Sequence, residues 1–293
     1  MKSANPERSK RRKKIALRVL LFGLATYIGV CYALADAVVT RSSHTIPERP
    51  KELEVWQPIP NVPAWASPAV GKGTAKNVFI FSHGLKANRA FFKRTALEMV
   101  KRGHDVVLLP LPGHDEHPDD KLGFGPKEAA LIRSTIDALK AENIVLVGCS
   151  MGGAASWLAS DHPRVDGIVT ECAFGNLDPV TRVWFDRKMP GGSIILRPVV
   201  WIASLKVGIN PGDINPIETA KKWDSSKPSL VIQAAEDKLI PLSQSRELAE
   251  ATAAEYWVIP SLKHACCQDI GAEYDNRVES VMTHVLKYKK SAL

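Results

Sequence analysis

A serine between two glycines is the first residue of this chain whose setting suggests chemistry. Residues 148–152 read GCSMG, which matches the pattern G-x-S-x-G. The string follows an apolar run typical of a buried strand and precedes a segment of helical character, which is the setting of a nucleophile elbow. The glycines matter because so sharp a turn brings neighbouring backbone very close. The pattern therefore predicts that Ser150 is a nucleophile, with its hydroxyl above the edge of a sheet.

A serine hydroxyl needs a base to take its proton and a carboxylate to orient that base. Asp237 and His264 follow the fifth and sixth apolar runs of the chain. Loops at the carboxyl ends of parallel strands share one edge of the sheet, so these residues can meet Ser150. We predict Asp237 as the orienting acid and His264 as the base. Glu236, beside Asp237, and Asp178, after the fourth run, remain open as alternative acids.

Two N–H groups are needed to stabilise the negative charge that develops on a substrate oxygen. Met151 follows the nucleophile at a helix start, where N–H groups lack intrahelical partners, and Leu85 lies in the loop after the first core run. We predict these two residues as the oxyanion hole. His83 is interpreted as a residue that holds this loop by hydrogen bonds. The site requires no metal or cofactor, and we interpret the His- and Asp-containing segment 114–120 as a solvated acidic loop.

Short apolar runs alternate with helical patterns through most of the chain. This alternation predicts an α/β fold with a mostly parallel sheet covered by helices on both faces. We expect one domain over residues 77–290, preceded by a Pro-rich linker and first strand region at 40–76, in which only 53–56 reads as a strand. The predicted core strands are 77–82, 105–110, 143–148, 166–170, 228–233 and 256–260, and the predicted helices include 88–102, 126–141 and 151–160.

The net charge of +8 is concentrated at one end of the chain. Residues 1–18 contain eight basic residues and one acid, so the rest of the chain is nearly neutral. A nucleic-acid-binding protein normally spreads its basic groups over the folded surface, where they neutralise phosphates. The charge therefore argues against a nucleic-acid partner and predicts a basic cytoplasmic tail at residues 1–18.

An apolar segment follows the tail. Val19 to Ala35 contains no charged residue, and seventeen residues is the lower limit for a helix that crosses a bilayer. Basic residues before such a span keep that end in the cytoplasm. We predict a transmembrane signal-anchor at 19–39, with a single span and the catalytic domain outside. The alternative is a signal peptide cleaved near Ala35, where Ala33 and Ala35 give small-x-small spacing, and a secreted or periplasmic protein.

Several motifs together resemble the α/β-hydrolase fold, in particular the serine hydrolases grouped with monoacylglycerol lipases and serine aminopeptidases. The resemblance spans about residues 53 to 290 and implies acyl-enzyme hydrolysis of an ester, thioester or amide without a cofactor. Relatives usually read Gly-His-Gly after the second strand, whereas this chain has Asp115 in the third position. The matching segments are FIFSHGL at 79–85, LPLPGHDEH at 109–117, GCSMGG at 148–153, residues 214–241 and the His264 loop.

Residues 175–227 lie between the fourth and fifth core strands and are rich in apolar side chains. In the resembling family this position carries a lid, so we predict a small helical cap. Its apolar residues either favour a lipid-like acyl group, presented by the membrane, or pack the cap onto the core. The predicted function is a serine hydrolase that cleaves a lipid-like or small acyl ester. The alternatives are a serine peptidase or amidase of the same fold and a non-catalytic binding scaffold.

Cysteines surround the predicted site. Cys266 and Cys267 follow the proposed base, Cys149 precedes the nucleophile, and Cys172 follows the fourth core run. Disulfides form where the compartment is oxidising, and adjacent cysteines pair with each other only under strain. A bridge from the pair at 266–267 to Cys149 or Cys172 is therefore a hypothesis for an exported domain.

Overall fold

The six predicted core strands all form. The computed structural model describes residues 6–41 and 45–291, and within these residues it contains a sheet of eight strands. Each observed core strand overlaps its predicted run to within a few residues. The strands are β1 (Glu54–Trp56), β2 (Ala64–Ala66), β3 (Asn77–Ser82), β4 (Asp105–Leu108), β5 (Asn143–Cys149), β6 (Gly167–Glu171), β7 (Ser229–Ala234) and β8 (Glu255–Ile259).

The sheet order is β1-β2-β4-β3-β5-β6-β7-β8. Strands β3 to β8 are parallel, and β1 and β2 add an antiparallel edge. The carboxyl ends of β5, β7 and β8 therefore share one edge, with β5 near the centre. The predicted fold class, a mostly parallel sheet with helices, is confirmed.

Helices cover both faces of the sheet because strands β3 to β7 are buried along nearly their whole length, whereas the edge strand β8 is partly exposed. One core cluster joins one face of the sheet to α4 and α5, with Trp157 at its centre, and the other joins the opposite face to α3 and α11, with Tyr274 buried there. The helices are α1 (Pro6–Val39), α2 (Pro68–Lys72), α3 (Lys93–Lys101), α4 (Pro126–Ala138), α5 (Met151–Leu158), α6 (Leu177–Lys188), α7 (Gly192–Ile195), α8 (Arg197–Val207), α9 (Pro216–Ala220), α10 (Leu242–Thr252) and α11 (Ala272–Ser291).

The second strand is a correction to the sequence prediction, which placed a single strand in residues 40–76. Strand β2 has only three residues between prolines, so its pattern is too short to recognise. Trp65 pairs with Leu108 of β4 on one side and with Val55 of β1 on the other. Tertiary pairing, rather than local pattern, makes this segment a strand.

The predicted helical cap is present between β6 and β7. Helices α6, α7, α8 and α9 all lie within residues 175–227. Gly192 permits the tight joint between α6 and α7, because a Cβ there would meet the backbone carbonyl of Phe185. The cap thus lies on the side of the sheet where β5 and β6 end.

Helix α1 runs without interruption from Pro6 to Val39, so the described part of the basic tail continues into the apolar segment. The section Lys10–Val39 is long and apolar enough to cross a membrane, and its most apolar window is 6% buried. A signal sequence has the same length and composition. Residues 1–5 of the predicted tail and 42–44 of the predicted linker lie outside the described residues.

Candidate active site

Ser150 lies between β5 and α5 in a conformation that few residues adopt. Its φ is 51° and its ψ is −114°, a sparsely populated region that surrounding structure must enforce. The glycines on either side permit this turn. A Cβ on Gly148 would lie 2.5 Å from the carbonyl oxygen of Gly152, and a Cβ on Gly152 would lie 2.5 Å from the carbonyl oxygen of His83. The backbone N–H of Ser150 donates to Glu171 at 2.9 Å, which ties the turn to β6.

The structure brings Ser150, His264 and Asp237 into one chain of hydrogen bonds. His264 Nε2 lies 3.0 Å from Ser150 Oγ, and His264 Nδ1 lies 2.7 Å from Asp237 Oδ2. Ser150 is buried, and the Asp237 side chain has no exposed surface. This is the arrangement in which an imidazole takes a proton from a hydroxyl while a carboxylate fixes its orientation.

Asp237 is held by more than the histidine. Its Oδ1 accepts the backbone N–H groups of Leu239 at 2.8 Å and Ile240 at 2.9 Å, and its Oδ2 also accepts from Gln233 Nε2 at 3.1 Å. Burial alone would raise the pKa of Asp237, but the hydrogen bonds from His264, Ile240 and Leu239 outweigh burial and lower it. The carboxyl is therefore ionised near neutral pH.

The two alternative acids lie elsewhere. Glu236 is exposed, and its backbone N–H donates to Leu262. Asp178 lies in the first turn of α6, where its carboxylate pairs with Arg182 at 2.8 Å. Of the three candidate acids, Asp237 is the one that contacts the His264 ring.

Gln233 is a site residue that sequence reasoning missed. It is fully buried at the end of β7 and donates to Asp237. The available signal was an amide in the otherwise apolar run 229–234, because buried polar groups are retained where they are hydrogen-bonded.

We expect Gln233→Leu to lower kcat about tenfold, since second-layer partners of a site typically contribute 10- to 100-fold. With one donor lost, Asp237 becomes more basic and raises the pKa of His264, so the acid limb of the pH–rate profile should move to higher pH. Both are measured on a water-soluble ester. Gln244→Leu is the control, because Gln244 accepts from Gly175 and Asn176 rather than from the site. If the acid limb of the pH–rate profile moves equally in Gln233→Leu and Gln244→Leu, the role of Gln233 is contradicted.

The pKa of His264 is raised to about 9. Burial is the largest single effect and favours the neutral ring, but the hydrogen bonds and charges of Asp237 and Cys172 together outweigh it and raise the pKa. Because a general base must be unprotonated, the active fraction grows as pH rises through this pKa.

We therefore expect kcat/KM on a soluble ester to keep rising with pH beyond the ordinary histidine pKa of about 6.5. The rise should continue toward the raised pKa of about 9. A pH–rate profile measured in constant ionic strength tests this expectation. A plateau already reached near neutrality would contradict it.

Both predicted oxyanion residues line the cavity beside Ser150. Met151 is the first residue of α5, where backbone N–H groups have no intrahelical acceptor. Leu85 lies in the loop after β3, and this loop approaches the nucleophile closely. A Cβ on Gly84 would lie 3.4 Å from Ser150 Cβ.

The segment 114–120 is a solvated acidic loop only in part: Glu116 and Asp120 are exposed, as predicted, but its first residues are not. His114 and Asp115 are buried. Asp115 pairs with the buried Arg89, whose Nε lies 3.1 Å from its Oδ2. Asp115 has a φ of +48°, a conformation that favours glycine and that Asp tolerates better than most residues. This explains the departure from Gly-His-Gly: the position needs a positive φ, and here the carboxylate also binds Arg89.

His83 is buried against His114, as a residue that holds its loop should be. The two rings meet edge to face at 4.8 Å, and His83 Nδ1 lies 2.9 Å from the Gly84 carbonyl. Burial lowers the pKa of His83 to about 3, so the ring is neutral. His114 in turn accepts the backbone N–H of Lys86 at 3.0 Å, which fixes the turn that contains Leu85.

The cysteines at the site are free in this structure. Cys172 Sγ lies 3.8 Å from Cys267 Sγ, and both residues are buried. This is one of the pairings that we considered, and the bridge stays a hypothesis. Among the described residues, Cys172, Asp237 and His264 offer ligand atoms that lie within 4.8 Å of one another, close enough to hold a metal ion.

A cavity of about 320 Å³ opens in front of Ser150. Its wall combines the site loops with α6 and α8 of the cap and with Val38 from α1. Leu177, Val180, Trp184, Phe185, Val199 and Val200 are cap residues on this wall. Part of the apolar cap therefore faces the site, which favours an apolar ligand.

The parallel sheet, the elbow and the cap define a class of protein, and comparison of the sequence with known families gives the same class. The chain belongs to the alpha/beta hydrolase family, whose family profile matches residues 79–269. A curated protein of Mycoplasma pneumoniae, whose name places it among esterases or lipases, is 35% identical over 91 residues. The match covers 29% of this chain and 31% of that protein, so the chain spans about a third of the length of the curated relative.

Solved structures of this fold resemble the chain over most of its length. An esterase from Pyrococcus furiosus has a TM-score of 0.65 at 18% identity, covering 84% of this chain and 97% of the esterase. A monoacylglycerol lipase from Paleococcus ferrophilus has a TM-score of 0.55 at 18% identity, covering 72% of this chain and 96% of the lipase. At such identities the likeness shows the fold.

Proposed function

We propose that this protein is a serine hydrolase that cleaves a carboxylic ester through an acyl-enzyme intermediate. The observation that carries the proposal is the hydrogen-bonded chain from Ser150 through His264 to Asp237, placed at the wall of an apolar cavity. The names of the similar proteins, an esterase and a monoacylglycerol lipase, support the same activity.

The reaction begins when His264 Nε2 takes the proton of Ser150 Oγ as the oxygen attacks the ester carbonyl. The N–H groups of Leu85 and Met151 stabilise the oxyanion that forms. His264, held by Asp237, then gives its proton to the leaving alcohol, and the acyl group remains on Ser150. A water molecule, deprotonated by His264, releases the acid and restores the serine.

The shape and chemistry of the cavity favour a substrate with an apolar acyl chain. Its wall is lined mainly by apolar side chains from the cap and from the loops at Phe91, Phe124 and Phe174. Burying a methylene group in such a wall contributes about 0.8 kcal/mol, so affinity should grow with chain length. A lipid-like ester fits this wall better than a charged aminoacyl amide, which is the substrate of the peptidase alternative.

Labelling with a fluorophosphonate probe tests the nucleophile. In the labelling reaction Ser150 Oγ bonds to phosphorus and fluoride leaves, so the wild type should be labelled and Ser150→Ala should not. Ser156→Ala is the matched control, because Ser156 lies in α5 and its hydroxyl donates to Gly152 away from His264. Absence of label in the wild type would favour the binding-scaffold alternative, and label in Ser150→Ala would place the nucleophile elsewhere.

A substrate screen tests the acyl specificity. Turnover should rise from acetyl toward medium and long acyl esters, and aminoacyl amides should be poor substrates. Best turnover on acetyl esters with none on longer chains would contradict the lipid-like substrate. Best turnover on amides would favour the peptidase alternative.

We also infer that α1 anchors the protein as a single span with residues 77–290 outside. The support is the long apolar section of α1, preceded by basic residues. Carbonate extraction of membranes separates the alternatives, because an anchored chain stays with the membrane, whereas a chain cleaved near Ala35 is released and is shorter.

A further inference from the structure

The cap has an exposed apolar surface that neither lines the catalytic cavity nor packs on the core. We call it the cap tip: Ile194, Ile195, Trp201 and Leu205, on α7 and α8. Their exposed fractions are 79%, 48%, 71% and 72%. Four large apolar side chains so exposed on neighbouring turns indicate a contact surface, because such surface is unfavourable in water.

Helix α1 runs alongside α8 in the same direction. The Tyr27 hydroxyl donates to the carbonyl of Ile195, and Lys206 Nζ lies 2.5 Å from Asp36 Oδ1. Between these contacts, Cys31 packs with the cap residue Val199. The nine steps from Tyr27 to Asp36 rise about 13.5 Å along the helix axis.

This packing sets the depth of the cap tip. Tyr27 is at the centre of the uncharged run from Val19 to Ala35, and Asp36 ends that run. A helix with this run across a bilayer places Asp36 at the headgroups and Tyr27 among the acyl chains. The start of α8, held beside Tyr27, then lies near the bilayer centre, and α8 crosses the outer leaflet toward Lys206, which pairs with Asp36 at the headgroups.

The end of α1 is also fixed to the catalytic domain. Leu122 donates its backbone N–H to the Val39 carbonyl at 3.0 Å, and Arg41 donates to Asp120 at 2.9 Å. The Arg41 guanidinium donates to the Asp115 carbonyl at 2.9 Å. The helix is therefore a fixed part of the fold and orients the cap relative to the bilayer.

A second cavity, of about 630 Å³, lies between the cap tip and the catalytic cavity. Tyr27, Ile194 and Trp201 line it, together with the charged side chains of Asp178, Arg182 and Arg197. Thr181, Phe185, Val200, Ser204 and Pro211 line both cavities, so the two cavities are adjacent and share a wall.

We propose that the cap tip is embedded in the outer leaflet beside α1, and that the acyl chain enters the catalytic cavity from the bilayer through the second cavity. The entry step rests on the proposed ester hydrolysis, whereas the embedding does not.

An environment-sensitive fluorophore tests the embedding. The full-length Ile194→Cys protein, labelled with nitrobenzoxadiazole and reconstituted in phosphatidylcholine vesicles, should show blue-shifted emission that is quenched by nitroxide on the lipid acyl chains. Ser225→Cys, exposed before β7 at the opposite edge of the sheet, should emit as in water and resist quenching. The labelled parent protein gives the background from native cysteines. Equal, water-like emission at both positions would overturn the proposal, and so would a blue shift without quenching, which indicates contact with a second copy.

The ratio of two activities tests the entry path. Leu205→Ser with Ile195→Ser should lower turnover of a monoacylglycerol in phosphatidylcholine vesicles, relative to turnover of a water-soluble butyrate ester, about tenfold. An unchanged ratio would overturn the entry path. If the wild type hydrolyses neither ester, the proposed function fails, and the fluorophore measurement still decides the embedding.

Discussion

Replacing Asp237 by Asn is expected to lower kcat on a soluble ester about 10⁴-fold while the protein stays folded. Asp237 accepts from His264 Nδ1 and from the backbone N–H groups of Leu239 and Ile240. An asparagine side chain carries no negative charge to stabilise the imidazolium. Its NH₂ group can also donate a hydrogen bond to His264 Nδ1, which favours the wrong tautomer of the ring. The pKa of His264 should fall as well, which moves the acid limb of the pH–rate profile downward.

Glu236→Gln is the matched control, because it makes the same chemical change one residue earlier. Its side chain is exposed and makes no contact with His264, so kcat should change by less than about twofold. Asp178→Asn, which loses only a pair with Arg182, should behave alike. Full activity in Asp237→Asn together with a large loss in either control would assign the orienting acid to another residue.

The sequence predicted the core strands and the meeting of the three site residues for one physical reason. Strands buried on both faces are continuous apolar runs, and a parallel sheet brings their carboxyl ends to one edge. Once β5, β7 and β8 are recognised, Ser150, Asp237 and His264 must lie near one another. The structure shows the closeness that this topology allows: His264 Nε2 lies 3.0 Å from Ser150 Oγ, and His264 Nδ1 lies 2.7 Å from Asp237 Oδ2.

Features that depend on tertiary pairing were not predictable in this way. Strand β2 is too short to give a period, and it exists because β1 and β4 flank it. The burial of Asp115 depends on Arg89, which is distant in sequence and gives no local signal. From sequence alone, a loop with several charged residues is predicted to be solvated, because the residues that pair with those charges are not known.

The role of α1 shows the same limit. Its composition predicts a span, but composition cannot show that Tyr27 and Asp36 contact α8, or that Val38 lines the catalytic cavity. The C-terminal half of α1 therefore packs on the cap and contributes to the wall of the catalytic cavity. Cleavage near Ala35 would remove Cys31 from its packing with Val199 and would expose the cap.

The second large effect concerns stability. Gly152→Ala is expected to lower the free energy of unfolding by about 3 kcal/mol or more, because its Cβ would overlap the backbone carbonyls of Ser82 and His83. Neither carbonyl can move freely, since Ser82 is paired in β3 with Gly148 of β5. For a domain of this size the melting temperature should fall by roughly 6–12 °C, measured for the full chain in detergent micelles.

Gly71→Ala separates this clash from the general effect of adding a methyl group. Gly71 lies in α2, and a Cβ there would lie 4.0 Å from its nearest neighbour, Trp56 Cδ1. Alanine there should stabilise the helix by about 0.5–1 kcal/mol, since glycine is the poorer helix former. If Gly152→Ala and Gly71→Ala change the melting temperature by the same amount, the elbow does not depend on the lack of a Cβ at Gly152. If only Gly152→Ala unfolds early and loses fluorophosphonate labelling, the close approach of β3 to α5 is what holds Ser150 in its strained conformation.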